Sequence, residues 1–159
     1  MMKKALLAVA IAFVCVGAQA QFTAGTMYVG ASASDLGLSY SSSEKFRFGV
    51  NAMAGYFLFD GLMLNAELGY NHTREVDDFT AGANARYYFV ENGIYLSAGG
   101  QFVHYTHNSN DVQIPIEVGY AFYLNHYVTI EPAVYYKMSL DDFSDKSTVG
   151  FKIGFGYYF

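Results

Sequence analysis

Along most of this chain apolar and polar residues alternate one by one. The last stretch is the clearest. Val149, Phe151, Ile153, Phe155, Tyr157 and Phe159 share one parity, and Thr148, Gly150, Lys152, Gly154, Gly156 and Tyr158 share the other. Successive side chains of a strand point to opposite faces, so the pattern predicts a strand with one apolar face and one small or polar face. The same parity predicts seven more. Phe46, Phe48, Val50, Ala52, Ala54 and Tyr56 oppose Arg47, Gly49, Asn51, Met53 and Gly55. Leu62, Leu64, Ala66, Leu68 and Tyr70 oppose Met63, Asn65, Glu67, Gly69 and Asn71. Phe79, Ala81, Ala83, Ala85, Tyr87 and Phe89 oppose Thr80, Gly82, Asn84, Arg86 and Tyr88. Ile94, Leu96, Ala98 and Phe102 oppose Tyr95, Ser97, Gly99 and Gln101. Val112, Ile114, Ile116, Val118, Tyr120 and Phe122 oppose Gln113, Pro115, Glu117 and Gly119. Val128, Ile130, Pro132, Val134 and Tyr136 oppose Thr129, Glu131, Ala133, Tyr135 and Lys137. In the first strand Met27, Val29, Ala31 and Ala33 alternate, then the phase slips to Leu36, Leu38 and Tyr40. A bulge near Ser34-Asp35 accounts for the slip.

The connections alternate in kind. Asp60-Gly61, Glu91-Asn92-Gly93 and Leu124-Asn125-His126 read as tight turns, with Asp-Gly and Asn-Gly supplying positive φ. Ser41 to Lys45, Thr73 to Asp78, Thr106 to Asn110 and Ser139 to Ser147 are longer and polar. The expected fold is all-β, an eight-stranded antiparallel transmembrane β-barrel with up-and-down meander connectivity. Both chain ends fall on the tight-turn side. In bacterial barrels that side faces the periplasm, so both termini are expected there.

The first twenty residues stand apart. Lys3 and Lys4 precede an apolar run, Ala5 to Val16, and Ala18-Gln19-Ala20 is a small-x-small cleavage site. This is the pattern of a secretory signal peptide, and the run is too short to span a bilayer as a helix. Cys15 follows Ala12-Phe13-Val14 and precedes Val16, which is not the small-residue box of a lipoprotein leader. The expected division is residues 1–20 as leader and 21–159 as one barrel domain.

Composition narrows the class further. Only 14% of residues are charged, against about 25% in ordinary soluble domains. The chain holds 15 Tyr, 14 Phe and 16 Gly but no Trp. Such apolarity excludes disorder. Without Lys3 and Lys4 the formal charge falls from −5 to −7, with no basic stripe, which argues against a nucleic-acid partner. Beyond Cys15 there is no cysteine for a disulfide, a thiolate nucleophile or a metal. An exported, apolar chain without helical spans points to a β-barrel of the outer membrane.

A soluble eight-stranded barrel of the lipocalin kind is the structural rival, with its apolar face inside. Here charge avoids the apolar face. The other face is rich in Gly and carries Arg47, Arg86, Lys137 and Lys152 against Glu67, Glu117 and Glu131. These nearly cancel, as a closed interior network requires. Tyr40, Tyr56, Tyr70, Tyr87, Tyr120 and Tyr136 fall near predicted strand ends, where rings form interfacial girdles.

The leader, the eight alternating segments and the ending Gly154-Phe155-Gly156-Tyr157-Tyr158-Phe159 resemble small porin-like outer-membrane β-barrels of the OmpA-transmembrane-domain and OmpX type. The resemblance implies that Ile153, Phe155, Tyr157 and Phe159 form the signal read by the barrel assembly machinery. It also implies outer-membrane lipids and lipopolysaccharide as surroundings. It does not fix an activity, because the fold hosts adhesins, plugs, narrow pores and lipid enzymes.

The candidate chemistry is sparse. The inward charges could line an ion path or form a salt-bridge plug. An eight-stranded interior is just wide enough for side chains, and Tyr95, Tyr135 and Tyr158 add bulk, so the plug is preferred. His107-x-Ser109-Asn110 resembles the His-x-Ser-Asn motif of outer-membrane lipid A deacylases, which implies His107 as base and Ser109 as nucleophile, with a Glu orienting the His. Its position in a predicted loop, with Glu117 facing inward on the next strand, favours plain turn formers. His104 and His107 lack a third metal ligand. Asp141, Asp142 and Asp145 read as a solvated acidic loop, with a lipopolysaccharide-bridging cation the alternative. No catalytic residue, cofactor or metal is assigned. The expected role is structural or surface-interacting, through short loops and an unspecified extracellular ligand. The alternatives are a narrow porin-like channel and, third, a lipid A-modifying hydrolase.

N-terminal analysis of the protein from outer-membrane fractions should find a chain beginning at Gln21. Recovery of the intact leader, or of a lipid on Cys15, would contradict this export route.

Overall fold

Alternation alone makes strands, but each strand must also find partners for its N–H and C=O groups. In the computed structural model, which describes residues 22–34, 47–73, 77–89, 93–106, 108–141 and 147–159, they do so by closing on themselves. The segments are β1 (Met27–Ser34), β2 (Arg47–Phe59), β3 (Leu62–Thr73), β4 (Asp77–Tyr88), β5 (Ile94–Tyr105), β6 (Ser109–Tyr120), β7 (Phe122–Tyr123), β8 (Val128–Ser139) and β9 (Thr148–Tyr158). β7 continues β6 past Ala121 and pairs with β8 in the same register, so nine segments form eight staves. All pairings are antiparallel, and β9 returns to β1. At that seam Met27 N donates to Phe159 O at 2.8 Å, and Phe159 N donates to Met27 O at 2.9 Å. Closure leaves no free sheet edge among the described strands.

Parity assigns the two faces as the sequence predicts. Val29, Val50, Leu64, Leu68, Phe79, Leu96, Phe102, Val118, Val134 and Phe155 are exposed on the outer wall. Among the described strand residues, Asp77 at the rim is the one charged side chain of outward parity. Inside lie Asn51, Asn84, Arg86, Asp111, Glu117, Glu131 and Lys152, all buried. A soluble barrel would reverse this arrangement. An apolar wall around a hydrogen-bonded interior suits a hydrocarbon solvent, in which backbone groups must pair within the protein.

The two ends differ. Both described chain ends and the tight connections Asp60-Gly61 and 124–127 share one end, called here the short-turn end. Gly61 and Gly93 have φ of 80° and 75°, the conformation that glycine favours in such turns. Asn125 Oδ1 accepts from Tyr127 N and Val128 N at 2.8 and 2.9 Å and so closes its turn. Outward rings crowd this end, with Tyr87–Phe89, Tyr120–Phe122 and Tyr157–Phe159 centroids 4.9–5.7 Å apart.

Three features depart from expectation. Ser109 and Asn110 belong to β6 rather than to a loop, and only a tight connection with Asn108 at φ 63° joins β5 to β6. Likewise β3 runs to Thr73 and β4 begins at Asp77. The strands outlast the apolar pattern because rim side chains pair across them. His72 Nδ1 lies 2.5 Å from Asp77 Oδ1, and His104 Nδ1 lies 2.7 Å from Asn110 Oδ1. The register shift that is described falls between Phe57 and Phe59. The predicted slip toward Leu36, Leu38 and Tyr40 lies outside the described residues, as do the leader, Ser41 to Lys45, Glu91 and Asn92. Pro115 has no N–H, and the β5–β6 ladder breaks between its Ala98–Ile116 and Gln101–Gln113 pairs.

Leu68, 56% exposed at the middle of β3, tests the facing. Leu68→Arg should cost about 2–4 kcal/mol in reversible unfolding from lipid vesicles, because the charge enters hydrocarbon. An unchanged stability would mean that this wall faces water.

Candidate functional site: a closed, charged lumen

The interior is layered along the barrel axis. At the short-turn end the inward residues of several strands are aromatic or sulfur-bearing: Tyr28, Met53, Phe57, Met63, Tyr88, Tyr95 and Tyr158, all buried. Phe22, which precedes β1, joins them from below. Its ring stacks on Tyr88 with centroids 4.2 Å apart and meets Tyr158 at 5.9 Å and Tyr123 at 5.7 Å. Small residues make room for these rings on so narrow a wall. A Cβ on Gly119 would collide with the cross-strand Tyr95 ring, and one on Gly30 with the Tyr28 ring.

Above this floor the charges meet. Arg86, on β4, is 1% exposed. Its Nη1 donates to Glu131 Oε2 at 2.9 Å and to the Tyr88 hydroxyl at 3.1 Å. Its Nη2 reaches Glu117 Oε1 at 3.4 Å. The guanidinium also lies 4.2 Å from the Tyr95 ring centroid. Lys152 Nζ sits 2.5 Å from Glu117 Oε2. Two cations and two carboxylates therefore form a neutral quartet, which limits the cost of burying charge.

Phenols complete the quartet. Glu131 accepts from Tyr28 OH at 3.0 Å, Tyr158 OH at 2.7 Å and Thr129 Oγ1 at 2.8 Å, besides Arg86. Tyr95 OH donates to Glu117 Oε1 at 2.7 Å. The Tyr88 and Tyr158 hydroxyls are 2.9 Å apart. Tyr158 commits its proton to Glu131, and Tyr88 accepts from Arg86, so Tyr88 donates to Tyr158. The chain Arg86, Tyr88, Tyr158, Glu131 thus closes into a ring.

Toward the other end the lumen loosens. A cavity of ≈ 20 Å³ is lined by residues that include Asn51, Glu67, Asn84, Glu117, Lys137 and Lys152. It suits about one water molecule. Asn84 Nδ2 donates to Glu67 Oε2 at 3.2 Å. Buried Ser34 Oγ and Asn84 Oδ1, on two lining residues, have no hydrogen-bond partner among the described residues. Still nearer the rim, Ser139 Oγ donates to Asp111 at 2.9 Å, Gln113 Nε2 donates to Asp111 Oδ2 at 2.9 Å, and Gln101 Nε2 donates to Gln113 Oε1 at 2.9 Å.

Of the seven predicted lumen charges, Arg86, Glu117, Glu131 and Lys152 come together in the quartet, and Glu67 and Lys137 line the cavity above it. Arg47 opens β2, and its side chain lies outside the described residues. Sequence reasoning missed Tyr28, Tyr88 and Asp111 as network partners and Phe57 as part of the floor. All four have inward parity, so the alternation itself was the available signal. Phe22 lies outside any strand and carried no such signal. Ile153, Phe155 and Tyr157 pair with Ala33, Ala31 and Val29 across the closing seam.

The deacylase-like residues are not assembled. His107 lies outside the described residues. Ser109 is exposed at the rim, and Glu117 is eight positions further along β6, roughly 26 Å at strand rise. Glu117 is also committed to Arg86 and Lys152. His104 pairs with Asn110. Asp141 is exposed, while Asp142 and Asp145 lie outside the described residues.

A closed sheet with an apolar exterior and a self-paired polar interior defines a transmembrane β-barrel. The chain belongs to the outer membrane protein beta-barrel domain family, whose model matches residues 6–159. Among solved structures, the N-terminal β-barrel domain of Pseudomonas aeruginosa OprF is similar, with a TM-score of 0.68 at 18% identity, covering 86% of this chain and 98% of that one. OprG from the same organism gives 0.57 at 13%, covering 87% and 98%. Ail, the attachment invasion locus protein of Yersinia pestis, gives 0.55 at 12%, covering 86% and 100%. At these identities the likeness is one of fold. No curated protein sequence matches the chain.

The quartet orders its members. Glu131→Ala strands Arg86 without its closest anion and should cost about 3–5 kcal/mol in urea unfolding from lipid. Lys152→Gln leaves Glu117 with Arg86 and Tyr95 and should cost less, about 1–2 kcal/mol. The reverse order would contradict this reading of the network.

Proposed function

We propose that the protein is a structural or surface-interaction barrel of a Gram-negative outer membrane, with its lumen shut by its own side chains. The observation that carries this is the neutral quartet on its aromatic floor. Together they cross the lumen and engage the inner faces of β1, β2, β3, β4, β5, β6, β8 and β9. Eight staves enclose room for little else.

In this reading the short-turn end and both termini face the periplasm, by the rule for bacterial barrels. The chain is exported on residues 1–20. The barrel assembly machinery reads Ile153, Phe155, Tyr157 and Phe159. Outer-membrane lipids and lipopolysaccharide surround the wall, and the end opposite the short turns meets an extracellular ligand. The outward rings crowding the short-turn end suit an interfacial girdle there.

A narrow porin-like channel is the second reading. The polar cavity above the quartet favours it, since water there is one ion-pair layer from the floor. The hydrolase reading has no comparable support, with Ser109 and Glu117 far apart.

Planar-bilayer recordings should show no stable open channel in the parent protein, or rare and very small openings. Glu117→Ala frees Lys152 and loosens Arg86, so opening frequency should rise, with anions favoured. Large, steady conductance in the parent, unchanged by Glu117→Ala, would overturn the closed-lumen reading in favour of the porin.

A further inference from the structure

We propose that the segment Phe22–Thr26 is a lid on the short-turn end of the lumen, held shut by the Phe22 ring; the proposal rests on the closed-lumen reading. Phe22 is not in a strand, yet it is 1% exposed. Its ring contacts rings from four separate segments: Phe57 of β2, Tyr88 of β4, Tyr123 of β7 and Tyr158 of β9. Among the described residues it is therefore the last layer beneath the phenols that serve Arg86 and Glu131. Without it, the Tyr88 and Tyr158 rings lose their cover on that side, and the charge network is one hydroxyl layer from water.

The segment is also the part of this end that can move cheaply. Each stave is fixed by a ladder of backbone hydrogen bonds on both sides. The strap is held to the barrel by a few bonds, all to the β2–β3 hairpin. Phe22 O accepts from Gly61 N at 2.7 Å, Ala24 N donates to Asp60 Oδ1 at 2.9 Å, Gly25 N donates to Phe57 O at 2.9 Å, and Thr26 O accepts from Phe57 N at 3.0 Å. Within it, Thr26 N donates to Thr23 O at 3.2 Å in a tight turn. Gly25 in that turn has φ 92°, with no heavy atom nearer than 4.0 Å to an added Cβ. A side chain at position 25 would thus strain the turn without disturbing the lumen. Lifting the strap breaks four hydrogen bonds and unstacks one ring, whereas displacing a stave breaks a ladder. Local openings of this size are the low-energy end of a protein's fluctuations.

Thiol accessibility tests the lid without requiring conduction. In the full chain carrying Cys15→Ser and Met63→Cys, the one thiol lies in the floor, where Met63 is fully buried. The folded protein in detergent micelles, its β-structure checked by circular dichroism, is exposed to a small charged methanethiosulfonate reagent, and labelling is followed by mass. With Phe22 present the thiol should be protected. Phe22→Ala should speed labelling by about tenfold or more, because the reagent needs an exposed thiolate. Phe22→Leu, which refills the gap, should restore protection. Gly25→Ala should also speed labelling, and it carries the test if Phe22→Ala does not fold. Equal protection with and without Phe22 would overturn the lid and leave the closed lumen standing. Rapid labelling with Phe22 intact would overturn both.

Discussion

Closure of the sheet on itself is the constraint from which the rest of this molecule follows. In hydrocarbon an unpaired N–H or C=O costs several kcal/mol, so β1 must meet β9 and the Met27–Phe159 bonds must form. Eight staves close into a tube whose interior is about as wide as the side chains that fill it. The outer wall takes its apolar residues from one parity, and the other parity must therefore enter the tube. Polar and charged groups are thus forced together, and they have to satisfy one another.

The lumen solves this by zoning. Where rings from facing strands crowd in, glycines such as Gly119 and Gly30 leave the wall bare to receive them. Where Arg86 sits, two carboxylates, a lysine and four phenols surround it, so the charge is neutralised and nearly every proton has an acceptor. Arg86 Nε is an exception, buried without a hydrogen-bond partner among the described residues. Further along, shorter amides and serines replace the rings, and packing relaxes into the small cavity. This gradient gives the barrel a sealed end and a softer end. It links the packing of the interior to the direction from which water can approach the charges.

The rim obeys different rules. There the side chains are solvated on at least one side, and His72–Asp77 and His104–Asn110 pairs extend strands beyond the apolar belt. Polar residues that would interrupt a strand in lipid continue it in water. Ser109 and Asn110 therefore have the composition of a loop and yet belong to β6.

Parity and turn chemistry, both local, made much of the fold legible from sequence. Side chains two residues apart must share a face, so Val149 to Phe159 and Leu62 to Tyr70 declared an outer wall and Arg86, Glu117, Glu131 and Lys152 an inner one. Asp60-Gly61 declared its turn because positive φ favours glycine. The partners inside the tube were not legible. Glu131 meets Tyr28 across 103 residues and Arg86 across 45. Which inward residues share a level depends on the register around the whole closed sheet, and no local pattern encodes that. Phe22 shows the limit most clearly. Outside a strand it has no parity, and only the assembled floor of Phe57, Tyr88 and Tyr158 gives its ring a place to bury.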